Sequence, residues 1–413
     1  MPINDLSTAA QAQPSSLWRN RDYMLLWGGQ VVSSLGAGVS EIALPLFALA
    51  LTNSPAQVGF ITAVGALPYL FFSLPAGALI DRWDRKRVMM ICDTGRAFAA
   101  LSIPLTSWLG HLTVAQLYIT SIVSGTLFVF FNIAEIACLP RVVPEEQLSA
   151  ATAQNQAIDG ITVLIGPSLG AILYQSANRL LPFIVDGISY IVSVISLFFI
   201  RTTFQGERID APRKLHTEIV EGLTWLWHEP LLRFTAFLTG GINLVLSGST
   251  IILIVRAKEL RAPAVIIGAI FSIAAVGGIV GSLVGERIQK RLGFGQVIIG
   301  VSWLQALLWP LYAITPNITI LSIITAGVFL LIPVYNVTQI SYLLSMIPDE
   351  LQGRVNSVFR LIAYGGLPLG QACAGVLIQT ITVRPTIIVF STCLVVMAML
   401  ATFNAHVRAT CAR

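Results

Sequence analysis

Charge is what this sequence has least of. Asp, Glu, Lys and Arg make up 11% of the 413 residues, against 55% hydrophobic. Mean hydropathy is +0.79. Soluble domains run near 25% charged, so a soluble fold of this length is excluded. Cysteine is sparse as well. Cys92, Cys138, Cys373, Cys393 and Cys411 form no CxxC or Cys/His spacing, so neither a disulfide framework nor a metal site is expected. There is no glycine-rich nucleotide loop, zinc signature or nucleophile elbow. The chain is therefore not expected to be an enzyme, to need a cofactor, or to be driven directly by ATP. The first 18 residues lack a basic stretch followed by an apolar core. No cleavable leader is expected, and the segment reads as a polar cytoplasmic lead.

What is present is a series of apolar runs of about 20 residues, the length that crosses roughly 30 Å of hydrocarbon. Twelve spans are predicted, over 22–50, 56–80, 88–109, 113–138, 151–175, 181–200, 231–255, 264–285, 294–314, 318–345, 355–380 and 384–405. Of the 25 Lys and Arg, 20 fall on the side holding the N-terminus. The other side has Arg179, Arg256, Lys258, Arg261 and Arg384. The positive-inside rule then predicts both termini and the central loop in the cytoplasm of a cell-membrane protein. The net charge of +5 is read as this loop charge, with no nucleic acid partner expected.

The chain also repeats itself at an offset of 204 residues. Gly77-Ala78-Leu79 falls on Gly281-Ser282-Leu283, Lys86-Arg87 on Lys290-Arg291, and Pro144-Glu145-Glu146 on Pro348-Asp349-Glu350. Gly166 falls on Gly370 and Leu173 on Leu377. The predicted fold is an all-α membrane protein of 12 transmembrane helices in two pseudo-symmetric six-helix bundles. The expected units are 1–200, a linker over 201–230 with an amphipathic helix, and 231–413. Parallel repeats of this kind hold a substrate site between them near the midplane.

The densest charge lies in GALIDRWDRKRV, residues 77–88, between spans two and three. Gly77-x-x-x-Asp81-Arg82-x-x-Arg85-Lys86-Arg87 in a six-plus-six arrangement resembles the major facilitator superfamily over essentially the whole chain. Asp84 departs from the pattern, standing where glycine is usual. The Asp-Arg-Trp-Asp-Arg version, with Glu221-Gly222-Leu223 and Pro230-Leu231-Leu232-Arg233, resembles the branch of macrolide efflux pumps and the enterobactin exporter. In physical terms, Gly77 allows close helix approach. Asp81 can face the positive N-terminus of span eleven near Arg354–Asn356. Arg85 can pair with an acid of a third helix, for which Glu135 is the candidate. Together these residues would latch the cytoplasmic side shut in the outward-open state. In the second half Gly285 stands at the Asp81 position, so the latch is expected to be asymmetric.

Span five carries Gly166, Pro167 and Gly170, which resemble the superfamily's antiporter motif, with Ala171 where a second glycine is common. Acids within the membrane are costly, about 2.5–3.5 kcal/mol each at mid-bilayer, and are functional candidates by default. Glu41 is the deepest and is the candidate for loading and releasing a proton. Asp93, Arg96, Asp159 and Asp186 are expected to pair structurally. Cavity candidates are Gln30, Asn132, Asn243, Gln305, Tyr335, Asn336 and Gln339. Gly277, Gly281 and Gly285 read as packing residues of span eight, and 216–229 as an amphipathic stretch on the membrane surface.

The expected function is secondary active, proton-coupled export of a small amphipathic molecule, drug- or siderophore-like, by a monomer in the lipid bilayer. A lipid or lysophospholipid translocator and a non-transporting receptor of the same fold are the alternatives.

Overall fold

A computed structural model describes residues 17–80, 82–176, 178–204, 215–348 and 351–411. The polar lead before residue 17 and Asp81 lie outside them. Twelve helical segments are long and apolar enough to cross a membrane, and the described residues contain no strand. The first six are α1 (Arg21–Thr52), α2 (Pro55–Ile80), α3 (Arg85–Trp108), α4 (Val114–Val142), α5 (Leu148–Ser176) and α6 (Leu181–Phe199). After α7 (Leu215–His228), span seven is α8 (Pro230–Ser247) with α9 (Ser249–Glu259) and span eight is α10 (Ala264–Arg291). Span nine is α11 (Phe294–Leu308) with α12 (Leu311–Ile314), and span ten is α13 (Ile318–Met346). Span eleven is α14 (Gln352–Gly365) with α15 (Leu367–Ile381), and span twelve is α16 (Val383–Phe403), followed by the short α17 (Ala405–Ala409).

Local chemistry sets the helix ends. Asn20, Thr113 and Asn317 are N-caps whose side chains accept from the backbone N–H three residues on. Asp84 does the same for α3, accepting from the N–H of Arg87 at 3.1 Å. That is a physical reason for an acid at the position where the resemblance predicts glycine. The basic cluster caps helices of the opposite polarity. Lys86 donates to the carbonyls of Ile200 (2.6 Å) and Phe198 (3.3 Å) at the end of α6. Arg85 donates to those of Ala137 (2.8 Å) and Phe204 (3.3 Å). Cations there meet the negative ends of the α4 and α6 dipoles. The end of the molecule holding this cluster is called the basic end below, and the opposite one the far end.

Within each half, helices pack through small residues, as expected where lipid supplies no hydrophobic drive between spans. A Cβ on Gly36 would meet Ser189 Oγ at 2.0 Å, and one on Gly125 would meet Gly65 O at 2.1 Å. In span eight, Gly277 and Gly281 lie against the Ala326 and Leu330 carbonyls of span ten in the same way. Gly77, the first-half counterpart of Gly281, has nothing within 4 Å of such a Cβ. The close approach expected at Gly77 is therefore absent among the described residues.

The halves meet closely at the far end, and nearer mid-depth Arg360 Nη2 of α14 donates to Tyr69 OH of α2 at 3.0 Å. A Cβ on Gly59 of α2 would come within 2.6 Å of Gln371 O and 2.9 Å of Gly375 Cα in α15. One on Gly268 of α10 would meet Pro167 O of α5 at 2.6 Å. Ser168 and Ser272 hydroxyls bond across this second contact at 2.7 Å.

Spans seven and eleven, predicted as continuous, are each interrupted, at Gly248 and Gly366. The two breaks face one another. A Cβ on Gly370 would overlap Leu244 O at 1.8 Å, and one on Gly366 would meet Leu244 Cβ at 3.1 Å. Carbonyls around the break in span eleven are taken by span-seven side chains. Asn243 Nδ2 donates to Ala363 O at 2.9 Å and Ser247 Oγ to Leu367 O at 3.0 Å. Asn243→Ala is accordingly expected to destabilise the protein by about 1 kcal/mol, read as a lower midpoint of thermal unfolding in detergent.

The segment expected to lie on the membrane surface has one face docked on the second half. Leu226 of α7 is buried with Leu232, Leu343, Val355 and Phe359, Gly222 lies against Arg354 O, and Glu221 pairs with Arg354. Val220, Leu223 and Trp227 remain exposed.

Candidate functional site

A central cavity of about 1150 Å³ runs from mid-depth toward the basic end, where it reaches Leu139, Pro140 and Leu148. The first half supplies most of the wall, from α1 to α6. The second half supplies Ser247, Thr250, Ile251, Tyr364, Leu367 and Gln371, around the two helix breaks.

The two walls differ in charge. Glu41, Glu135, Asp159 and Asp186 face the cavity from the first half, together with Arg96. Among the described residues the second half contributes no carboxylate or basic side chain to the lining, and its polar groups there are hydroxyls, one amide and the Tyr364 phenol. Glu41 and Asp159 are exposed to the cavity, while Asp186 is buried at its edge. Several polar atoms around the cavity have no hydrogen-bond partner in the protein: Gln30 Nε2, Ser121 Oγ, Thr162 Oγ1, Asp186 Oδ1 and Gln371 Oε1 among them. Buried polar atoms are nearly always paired, so orphans collected on one cavity mark a surface prepared for water or a guest.

Behind the wall lies a buried charged cluster. Arg96 Nη1 meets Asp93 Oδ1 at 3.4 Å, one helical turn away on α3. The guanidinium stacks 4.1 Å from the ring centre of Tyr190 on α6 and 5.4 Å from that of Phe128 on α4. Asp186 is one turn before Tyr190 and lies within the field of Arg96. Asp93 is 0% exposed and the Arg96 side chain 9%, so the ion pair is buried, with only Arg96 reaching the cavity.

The sequence candidates divide against this geometry. Gln30, Asn132, Glu41 and Glu135 line the cavity. Five other proposed lining residues do not. Asn243 is turned to the Ala363 carbonyl, and Tyr335 bonds the Thr239 hydroxyl at 2.9 Å. Gln305 and Gln339 are buried inside the second half, and Asn336 is half-buried away from the cavity. The expected Arg85–Glu135 pair is not formed. Arg85 is drawn to the helix-end carbonyls, whereas Glu135 turns inward to the cavity. Asp159 and Asp186, expected to pair structurally, face the cavity too. Sequence reasoning missed Tyr190, Tyr364 and Gln371. Nothing in the pattern separates them from other polar residues of long apolar helices.

Gly166 and Gly170 press α5 onto α1, where a Cβ would meet Gly38 Cα at 2.9 Å and Val39 O at 2.4 Å respectively. Pro167 and Ser168 turn the opposite face to α10. The helix runs unbroken through Pro167. This segment thus joins spans one, five and eight. Arg82 and Arg87 are exposed at the basic end, Arg87 beside Asp84 at 3.6 Å. No cluster of metal-ligating side chains occurs among the described residues.

Comparison with known proteins agrees with the architecture. A sequence model described as the Major Facilitator Superfamily matches residues 26–371. The chain is 24% identical over 405 residues to the multidrug efflux pump Tap of Mycolicibacterium fortuitum, covering 93% of this chain and 96% of that protein. It is 26% identical over 194 residues to macrolide efflux protein A of Streptococcus pyogenes, covering 47% and 48%. Among solved structures, the nucleoside transporter NupG superposes with a TM-score of 0.79 at 12% identity, over 93% of this chain and 100% of that one.

Proposed function

Because the chain belongs to the major facilitator superfamily, we propose that it exports small amphipathic cations in exchange for protons, by alternating access of its central cavity. Relatives named as multidrug and macrolide efflux proteins support export of organic molecules. The observation that carries the cationic preference is the wall itself. Four carboxylates and one guanidinium face a space otherwise lined by apolar, aromatic and uncharged polar side chains, and the guanidinium is already matched by Asp93 behind it. Such a site attracts a lipophilic cation and repels an anionic, siderophore-like solute. Aromatic rings at Tyr69 and Tyr364 suit a cation's flat or greasy parts.

On the orientation proposed from the loop charges, both termini are cytoplasmic. The cavity then reaches toward the cytoplasm, and the far-end contacts hold the external side shut. The latch residues Gly77, Asp81, Arg82, Arg85, Lys86 and Arg87 act in the opposite state, when the basic end closes. The two bundles, 1–200 and 231–413, rock about the cavity, and α7 travels with the second.

The test is accumulation of a panel of cationic, neutral and anionic dyes and drugs in energised inverted vesicles, with wild type beside Glu41→Gln. Proton-dependent uptake confined to the cations, and lost in Glu41→Gln, is the expected result. Uptake of anions instead would overturn the cationic preference. Binding without uptake of any compound would favour the receptor reading, and movement of lipid alone the translocator.

A further inference from the structure

Buried ion pairs are expensive, and those that persist are normally wrapped in hydrogen bonds that use every lone pair and every N–H. The cluster behind the cavity wall is not built that way. It holds two carboxylates, Asp93 and Asp186, and one guanidinium, Arg96, all less than a tenth exposed. Asp93 Oδ2, Asp186 Oδ1 and Arg96 Nε each lack a partner. The Asp93–Arg96 contact is long, at 3.4 Å, and single rather than bidentate. With both acids ionised the cluster has one negative charge too many for a dry interior. With one proton added it is neutral. Arg96 has room to choose between its acids, because what holds it laterally is the face of Tyr190, which imposes no direction on its N–H groups.

We propose that Arg96 is a mobile counter-ion shared by Asp93 and Asp186, and that Asp186 carries the exchanged proton. This rests on the transport reading given above and moves its proton from Glu41 to Asp186: Glu41, exposed in the cavity, meets the substrate cation, so Glu41→Gln loses uptake through binding. When Asp186 holds the proton, Arg96 pairs with Asp93, as seen in the structure. When the proton leaves Asp186 for cavity water, the carboxylate left behind draws Arg96 toward the cavity. Asp186 is well placed to report this to the moving parts. Its backbone lies against Gly36 of α1, where a Cβ would sit 3.2 Å from Asp186 Cα. Ser40, on the next turn of α1, faces its side chain. A change of charge at Asp186 is therefore felt at the contact of spans one and six.

The other charged or titratable groups on the spans around Asp186 are Asp93, Arg96 and Cys92 of α3, Tyr190 of α6, Glu41 of α1, Glu135 of α4 and Asp159 of α5. Glu41 and Asp159 are exposed to the cavity, so water can screen them and a substrate cation can meet them. Asp186 is the cavity acid that combines burial with a guanidinium neighbour and an unpartnered oxygen.

The experiment uses the full-length protein and two readouts. In detergent, infrared difference spectra between acid and alkaline pH are expected to show a carboxylic C=O band. That band should disappear in Asp186→Asn, move in Asp186→Glu and persist in Glu41→Gln. In proteoliposomes, Asp186→Asn is expected to lose pH-gradient-driven ethidium accumulation by about tenfold or more, and Asp186→Glu to retain it with a displaced pH profile. Arg96→Lys should retain coupled transport with a displaced pH profile, and Arg96→Gln should not. A band that survives in Asp186→Asn, or full gradient-driven accumulation by that variant, overturns the proposal. If wild type neither exchanges nor accumulates ethidium while the band still vanishes in Asp186→Asn, the proton site stands and the transport reading falls.

Discussion

Replacing Gly375 by leucine is expected to drive the protein into the state in which the far end is open. A Cβ at Gly375 would lie 2.6 Å from Pro55 O and 2.9 Å from Gly59 Cα. Both atoms are backbone, so no side chain can swing away to relieve the overlap. The strain exists only while α2 and α15 are pressed together, and it vanishes when the halves part there. Overpacking of this kind costs about 1–3 kcal/mol, which corresponds to roughly a fivefold to 150-fold change in a two-state population. The measurement is labelling of Thr250→Cys, a cavity position, by an impermeant thiol reagent added from outside, in a background with native cysteines replaced by serine. Labelling should accelerate by at least about fivefold with Gly375→Leu, and coupled transport should fail. Gly59→Leu should behave alike. Unchanged labelling with normal transport would show that this contact does not hold the far end shut.

Arg96→Leu is expected to be the most destabilising single substitution in the first half. Asp93 is 0% exposed and Arg96 is its ion-pair partner. Truncating one partner of a buried pair leaves the other charge stranded and costs about 3–5 kcal/mol. That is a large share of the stability of most folded proteins. Expression should fall and thermal unfolding in detergent should move down strongly. The double variant Arg96→Leu/Asp93→Asn removes the stranded charge and should recover most of the loss. A coupling energy of about 2 kcal/mol or more between the two positions is expected from the double-mutant cycle. A single variant as stable as wild type, or a double variant no better than the single, would refute a stabilising role for the pair.

Most of the architecture was legible in the sequence. Apolar runs of the right length gave twelve spans within a few residues, because hydrocarbon thickness fixes span length. Charged and proline matches at one offset gave the two halves. The site was legible only in kind. Intramembrane acids stood out as costly, and Glu41 and Glu135 do reach the cavity. The roles of Asp159 and Asp186 did not stand out, since a single sequence shows that an acid is present and not which helix face looks inward. The same limit explains Asn243, Gln305 and Tyr335. Their polarity serves hydrogen bonding or burial inside the second half, whose helices are apolar nearly all round and give no periodic signal of direction. The breaks at Gly248 and Gly366 were hidden for a different reason. With 33 glycines in the chain, most of them at close helix contacts or in open space, a glycine in a span does not announce an interruption. Asp84 was the reverse case. It departs from the resembled pattern, yet its capping bond to Arg87 gives it a plain local use.

The confinement of charge to one wall of the cavity has an electrical consequence. In the alternating-access cycle proposed above, carboxylates that stay ionised are fixed charges whose exposure moves from one side of the membrane to the other. One elementary charge carried across the full potential is worth about 2.3 kcal/mol per 100 mV. A single bound cation does not neutralise Glu41, Glu135, Asp159 and Asp186 together. In the exchange cycle proposed above, the number of protons that accompany the empty return decides whether membrane voltage, and not only the pH difference, drives turnover. Currents recorded from a solid-supported membrane on substrate jumps would read that number directly.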